Sequence, residues 1–579
     1  MLPINLQNLS EGAFQNCKNL KYIEFPSYLN TGSYSYHYHV YDAGNTYYTT
    51  TGYFGYRSNF TNCTALEKVV MRSATPPAIT SDPFSGGRAK SAITLVVPSF
   101  SVVNYKLDSY WYQFGTIVEG DDVDYWKITS PLMLTNNRRM QGTPDVDLYY
   151  GGQLTVGGNA PFEMGTFRYY VNESNPGRLL NTCENMSADD ASVRFYADAN
   201  RWYFFTPLID INLADIEVTN SASYVFRYYD AQNRAANGAS GSWKNVDSDK
   251  LMAGQGYIFH CNTACEIVMP MDAAGQAQLF NTKDVTRTLT VNEAESTANR
   301  SWNYIGNPYP AYYDIYYMDF TAPITVWNGS TYQAYSVADD DFVLRPMQSF
   351  FVQKPDAVDK IVFKKEGRQL TTSIAHGAAA RALAPARSSR YLFNLAISPE
   401  VSEDSEAPVA PATDQTRVVL NEDASLGYEI ERDAAKFFSF DAAVPQLFTV
   451  DGEGNSYAIN ERPESDGVVT LGYYAGKEGF YTIETLRADG EVSLYDAELN
   501  KTVDLTQEGY TFHSEATDGV NQTRFVLTIS VNNGGETTRI EEISNLKSQV
   551  SNLYDLQGRK TTATQKGIYV KDGRKVVNK

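Results

Sequence analysis

Side chains able to hold a proton, a metal or a nucleophile are sparse in this chain. Its five histidines stand at 37, 39, 260, 376 and 513, and its five cysteines at 17, 63, 183, 261 and 265. No Gly-x-Ser-x-Gly elbow exposes a nucleophile, no His-Glu-x-x-His sets two imidazoles beside a base, and no phosphate-cradling or dinucleotide glycine motif occurs. Asp and Glu total 68, yet a glycosidase needs two carboxyls at a fixed separation, which abundance alone does not supply. The expectation is a chain with no catalytic residue and no cofactor. Metal ligands fare no better. His37 and His39 share one face of a strand but have no third ligand nearby in sequence, and His260 with Cys261 and Cys265 falls short of a zinc set. That cysteine pair is compatible with a bridge across a tight loop and equally with two reduced thiols. The Asp339–Asp341 run lacks the spacing of a calcium loop and reads as a solvated acidic turn; Asp451-Gly-Glu-Gly-Asn455 reads as a hairpin turn. No metal site is assigned.

The residue type that stands out is tyrosine, at 42 against 28 phenylalanines. Tyr34, Tyr36 and Tyr38 alternate with His37 and His39. Tyr41, a turn over 42–45, and Tyr47 and Tyr48 follow, with Tyr53 and Tyr56 beyond. The period of two predicts a tyrosine-lined hairpin. Exposed tyrosine rings stack on sugar rings or peptide side chains, so Tyr34, Tyr36, Tyr38, Tyr41, Tyr47 and Tyr48 are the candidate ligand contacts. The competing reading is a hairpin that merely covers a sheet edge. Net charge −20 and pI near 4.8 exclude a nucleic-acid partner, since phosphate binding needs clustered Lys and Arg. No apolar run is long enough to span a membrane.

The elements that must position these residues are mostly strands. At 579 residues the chain has room for several cores. Residues 10–29 and 60–70 share a Phe-x-Asn-Cys-x-x-Leu-x-x-[Ile/Val] core, with Phe14, Cys17, Leu20, Ile23 and Phe25 spaced as inward positions. This pattern resembles the BspA-type leucine-rich repeat, which implies a turn at Asn-Cys, stacked Leu and Ile, and core thiols at Cys17 and Cys63. Residues 93–120 resemble the segment that closes such an array: a strand, a turn at Pro98, a short helix and a last strand. From 121 onward, short aromatic and β-branched runs alternate with turn residues, the pattern of β-sandwiches. An internal duplication is visible: Trp202 and Trp302 lie 100 positions apart, Tyr257 and Phe350 lie 93 apart, and residues 223–230 answer 323–330. Two related modules, or two halves of one, follow from it. Trp302 and Trp327 are assigned to a core.

The organisation expected is therefore mainly β. A short leucine-rich repeat solenoid with its insertion and cap covers 1–120, followed by a β-sandwich module over 121–280. A related module, or the second half of the preceding one, covers 281–370. An Ala/Arg-rich linker occupies 371–390, a third sandwich 391–531, a polar connector 532–550, and a small hairpin unit 551–579. That last unit carries seven Lys or Arg against two Asp, at the end of an acidic body. Its order Tyr-Asp-Leu-x-Gly-Arg, polar spacer, Lys-Gly-Ile-Tyr-Val and Gly-Arg-Lys-Val-Val resembles the type IX secretion C-terminal sorting domain of Bacteroidota. The matching positions are Tyr554, Asp555, Gly558, Arg559, Gly567, Tyr569 and Gly573. The second copy, with Trp-Asn-x-Ile-Gly-Asn-Pro-Tyr-Pro from 302, Val-Trp-Asn-Gly from 326 and Arg-Pro-Met-Gln-Ser-Phe-Phe-Val from 345, and the third sandwich are similar to modules common upstream of such tails. The resemblance implies recognition by the type IX secretion machinery, and a secreted or cell-surface protein that binds an unknown surface protein or glycan. It also implies an export signal, which the first residues do not provide, so the native start is expected to lie further upstream. An accessory C-terminal part of a secreted enzyme is the remaining alternative.

Overall fold

The computed structural model describes residues 12–25, 34–39, 47–52, 59–73, 75–79, 81–98, 101–120, 125–135, 143–374, 390–400, 412–516, 519–531 and four short strands between 553 and 578. The linker, apart from its ends, and the connector lie outside these residues. The architecture is mainly β, with a solenoid-like stretch first and sandwich-type sheets after it.

The first sheet is a four-stranded parallel ladder of Tyr22–Phe25, Lys68–Met71, Thr94–Val97 and Thr116–Glu119. Ile23, Val69, Leu95 and Ile117 stand level across it, so one apolar position per coil builds a continuous stack. Phe14, Phe60 and Phe84 form a second stack, with ring centroids 5.3 and 4.8 Å apart. Asn16 and Asn62 sit in left-handed backbone at φ 67° and 61°, and the Asn62 amide donates to the Asn16 side chain at 2.8 Å. The third coil has Gly86 in the asparagine position, at φ 73°, accepting from Asn62 N–H. Gly87 follows because a Cβ there would fall 2.4 Å from the Phe60 carbonyl oxygen. This coil is hidden in the sequence because Gly-Gly replaces Asn-Cys. Cys63 is buried as a core thiol, but Cys17 is exposed, which corrects its assignment to the core. It lies in the outermost described coil, whereas Cys63 is covered from both sides and donates to the Phe14 carbonyl at 3.0 Å. The helix Val102–Leu107 and the turn after it bury Tyr105 and Trp111, the latter bonded to the Pro77 carbonyl at 2.8 Å.

Residues 125–197 depart from the sandwich expected of them. Tyr125–Ile128, Asp145–Leu148, Phe162–Val171 and Met186–Ala197 pair in parallel, and so do Pro131–Leu134, Gln153–Val156 and Arg178–Asn181. The chain alternates between the two sheets as it climbs, making a flattened parallel coil around Leu132, Leu154, Leu179, Val146 and Phe167. Parallel strands need a crossover, and here each crossover is a strand of the opposite sheet. Short runs punctuated by Gly and Asn look alike in both architectures. What separates them is a partner some twenty residues away, which local pattern does not show.

Antiparallel order begins where Met186–Ala197 meets Cys265–Met271. The duplication is visible in the sheets. One runs Trp202–Phe205, Tyr257–Cys261, Tyr224–Tyr229, Trp243–Asn245; the other runs Trp302–Gly306, Ser349–Gln353, Ile324–Trp327, Tyr332–Tyr335. Trp202 pairs with His260 and Trp302 with Gln353, so the offsets of 100 and 93 persist in the register. In the middle strands Phe226 faces Phe259 and Ile324 faces Val352, so Ile324 answers Phe226 and not Tyr224. A shift by two keeps the same face.

The copies meet about a pseudo-twofold axis. Thr206 N–H donates to Met347 O while Gly306 N–H donates to Gly254 O, and Phe205 bridges Gln348 as Ile305 bridges Gln255. Such exchange of equivalent partners defines an isologous contact. It explains why these strands are apolar on both faces. Tyr203, Phe205 and Phe259 fill the first copy's core, and Ile305, Phe350 and Val352 the second's. The alternate residues Phe204, Ile258, Trp302, Tyr304 and Phe351 form a shared aromatic cluster, which Trp327, Tyr332 and Phe437 complete. Trp302 and Trp327 are thus buried, but between modules.

The third module wraps an 11-stranded sheet around Phe393, Leu395, Val418, Leu471, Phe512 and Phe525. It docks on the second copy through Phe437, 4.5 Å from Phe351, and through Arg417, which clasps Asp340 with two bonds of 2.7 and 2.8 Å. Asp339 pairs with Arg390, and this outweighs desolvation so that its carboxyl titrates below the usual range. The acidic run expected in solvent is therefore an intermodule clamp. The parallel coil of 125–197 is tied in as well: Arg345 donates to the Glu173 carbonyl at 2.7 Å and Arg368 to the Asn181 carbonyl at 2.9 Å. These modules are packed as one block.

Candidate ligand-binding surfaces

The tyrosine-rich insertion is an antiparallel pair, Tyr34–His39 with Tyr47–Gly52. Tyr36 stands opposite Thr50, Tyr38 opposite Tyr48 and His39 opposite Tyr47. Tyr41 lies outside the described residues. In sequence the pair falls between Tyr22–Phe25 and Lys68–Met71, two adjacent strands of the parallel ladder.

A second tyrosine surface was not singled out from the sequence. It lies on the outward face of the parallel sheet in 125–197. Tyr149, Tyr150 and Tyr170 gather with ring centroids 4.7, 4.7 and 5.6 Å apart, all half-buried. Lys127 holds its ammonium 3.6 Å above the Tyr149 ring. Polar rungs border the rings: Arg168 to Asp147 at 3.1 Å on one side and Arg194 to Glu266 at 2.7 Å on the other. Tyr196 extends the patch opposite Glu266. Burial and then the nearby Asp147 raise the Tyr170 phenol to about 12, so it stays a hydrogen-bond donor at any physiological pH. Flat apolar rings framed by fixed donors and acceptors suit a ligand with one apolar face and many hydroxyls. The signal available in the sequence was the recurrence of Tyr-Tyr at 149 and 169, one coil apart. Tyr169 is turned inward to the core, which leaves Tyr149 and Tyr170 outward.

The other candidates hold themselves closed. Asp451 spends its carboxylate inside its own hairpin, accepting from Asn455 and Tyr457. Cys261 and Cys265 are buried free thiols; burial, followed by the neighbouring Cys261 thiol, pushes Cys265 up to about 12. A cavity of about 460 Å³ between the second copy and the third module is lined by Arg300, Asp356, Glu429 and Arg432. Its charges pair with each other, Arg300 to Asp356 at 2.9 Å and Arg432 to Glu429 at 3.4 Å.

At the C-terminus the described strands are Leu553–Tyr554, Lys560–Thr561, Gly567–Lys571 and Arg574–Asn578, in one antiparallel sheet. Tyr554 pairs with Val570 and Lys560, and Tyr569 with Val576. Asp555, Gly558, Arg559 and Gly573 lie outside the described residues. Among the described residues no helix is long and apolar enough to cross a membrane. The described residues define a multimodule β-scaffold with a tyrosine cluster at Tyr149, Tyr150 and Tyr170. No family model, curated protein or solved structure matches the chain.

Proposed function

We propose that this is a non-catalytic binding protein, secreted or anchored at the cell surface by a type IX-like route, that contacts its ligand through the leucine-rich repeat region. The observation that carries the reading is the tyrosine-rich antiparallel pair Tyr34–His39 and Tyr47–Gly52, inserted in sequence between two adjacent strands of the parallel ladder. The basic tail with its Tyr-Asp-Leu-x-Gly-Arg order supports the export route.

A second reading, glycan capture, is favoured by the Tyr149, Tyr150 and Tyr170 group with its flanking ion pairs. Retention of the full chain on immobilised polysaccharides and on surface-protein extracts separates the two. The first reading expects retention to fall at least tenfold, the loss of about 1.4 kcal/mol, in a Tyr36→Ala/Tyr38→Ala variant. The second expects that fall in Tyr149→Ala/Tyr170→Ala and on polysaccharide alone. Retention unchanged in both variants contradicts both.

A further inference from the structure

In the third module, Gly479–Ala488 and Tyr510–Ser514 pair antiparallel, with Gly479 opposite Ser514 and Phe480 opposite His513. Tyr481, Ile483, Tyr510 and Phe512 point inward and are buried, so the alternate positions face solvent. That register brings Glu478 opposite Glu515 at the open end of the pair, on the same outward face as His513. One donor atom from each of the three lies within 4.8 Å of the others, and His513 Nε2 is 3.6 Å from Glu478 Oε1. Two carboxylates facing each other across a ladder repel. Among the described residues no lysine or arginine pairs with either, and the imidazole is the only base beside them. Phe480 packs edge-on against His513, with ring centroids 5.2 Å apart, and limits its rotation.

We propose that Glu478, His513 and Glu515 bind a zinc-type divalent cation on the outer face of the third module. The donor set selects the metal. Calcium and magnesium favour all-oxygen shells, a copper(I) site favours thiolate or thioether, and an imidazole with two carboxylates suits Zn²⁺ and its first-row neighbours. Zinc bonds to nitrogen and carboxylate oxygen at about 2.0–2.2 Å, so the three donors close in by roughly 1 Å on binding. The two glutamates are exposed and supply that movement by side-chain rotation. Three protein ligands leave a fourth position for water or for a carboxylate or hydroxyl of a bound molecule. The site is remote in sequence from His37 and His39, which share the strand Tyr34–His39.

The test is calorimetric titration of the full chain with Zn²⁺, and separately with Ca²⁺, in a non-chelating buffer. Wild type is expected to take up a single tight equivalent of Zn²⁺ and to ignore Ca²⁺. His513→Gln and Glu478→Gln are each expected to weaken that uptake by about tenfold or more, with thermal unfolding without metal unchanged because both side chains are at the surface. His37→Gln/His39→Gln is expected to retain it. Absence of zinc uptake by wild type, full affinity in His513→Gln, or loss of the tight equivalent in His37→Gln/His39→Gln overturns the proposal.

Discussion

Replacing Lys436 with methionine is expected to destabilise the third module by about 3–5 kcal/mol, the usual cost of stripping the partner from a buried charge. Lys436 and Asp414 form an ion pair of 2.5 Å whose side chains are 0 % and 1 % exposed. The Asp414 carboxylate also accepts from the Leu447 N–H at 2.6 Å and from the Thr331 hydroxyl at 2.9 Å, the latter across the module boundary. Without the ammonium, those neutral donors must hold a full negative charge in a site that water does not reach. The double variant Lys436→Met/Asp414→Asn removes the charge itself and should recover most of the loss, because the pair's net contribution is small once its desolvation is counted. Urea unfolding followed by far-ultraviolet circular dichroism measures both. Equal destabilisation by the single and double variants would show that packing around Lys436 matters more than its charge.

The second large effect is expected at Phe351. Its ring is 1 % exposed, stacks on Tyr304 at 4.2 Å and on Phe437 at 4.5 Å, and meets Tyr229 edge-on at 4.7 Å. Those three partners belong to the second copy, the third module and the first copy, so a single side chain joins all three. Phe351→Ala should cost about 3–5 kcal/mol, as deletions of buried aromatics do. It should also split one unfolding transition into separate ones, since the modules lose their common anchor. The contrasting variant is Phe350→Ala, one residue away and on the opposite face of the strand, inside the second copy's own core. It should lower the stability of that copy while leaving the third module's transition where it was. Scanning calorimetry distinguishes the outcomes: parallel shifts in all transitions for both variants would mean that the aromatic cluster does not couple the modules.

Periodicity and repetition carried the sequence reading where they were local. Phe14 and Phe60, each before an Asn-Cys turn, pointed to two coils because repeated residues report repeated geometry. The offsets Trp202 to Trp302 and Tyr257 to Phe350 match the strand register for the same reason. What escaped was long-range pairing. Nothing near Val146 says that it stands level with Phe167 and Ala191 in a parallel coil. Nothing near Asp339 and Asp340 announces Arg390 and Arg417, so a run of carboxylates looks solvated until the partners arrive from the next module. The shared aromatic cluster was hidden differently. Strands such as Trp202–Phe205 and Ser349–Gln353 are apolar along their length, but the sequence does not say that one face meets its own duplicate. The candidate surfaces divide in the same way. The alternating tyrosines of 34–38 announced themselves within five residues, whereas Tyr149 and Tyr170 become neighbours only when two coils stack. Glu478 meets His513 and Glu515 only through the pairing of distant strands.

Surface display in a type IX-competent cell decides whether the C-terminal unit directs export, with the chain placed behind an export signal and compared with a version ending at Ser551. The full chain is expected to reach the cell exterior, where added protease removes it, while the shortened chain folds but stays in the periplasm. Equal display of both versions would contradict it, leaving the C-terminal strands a structural sheet with no role in address.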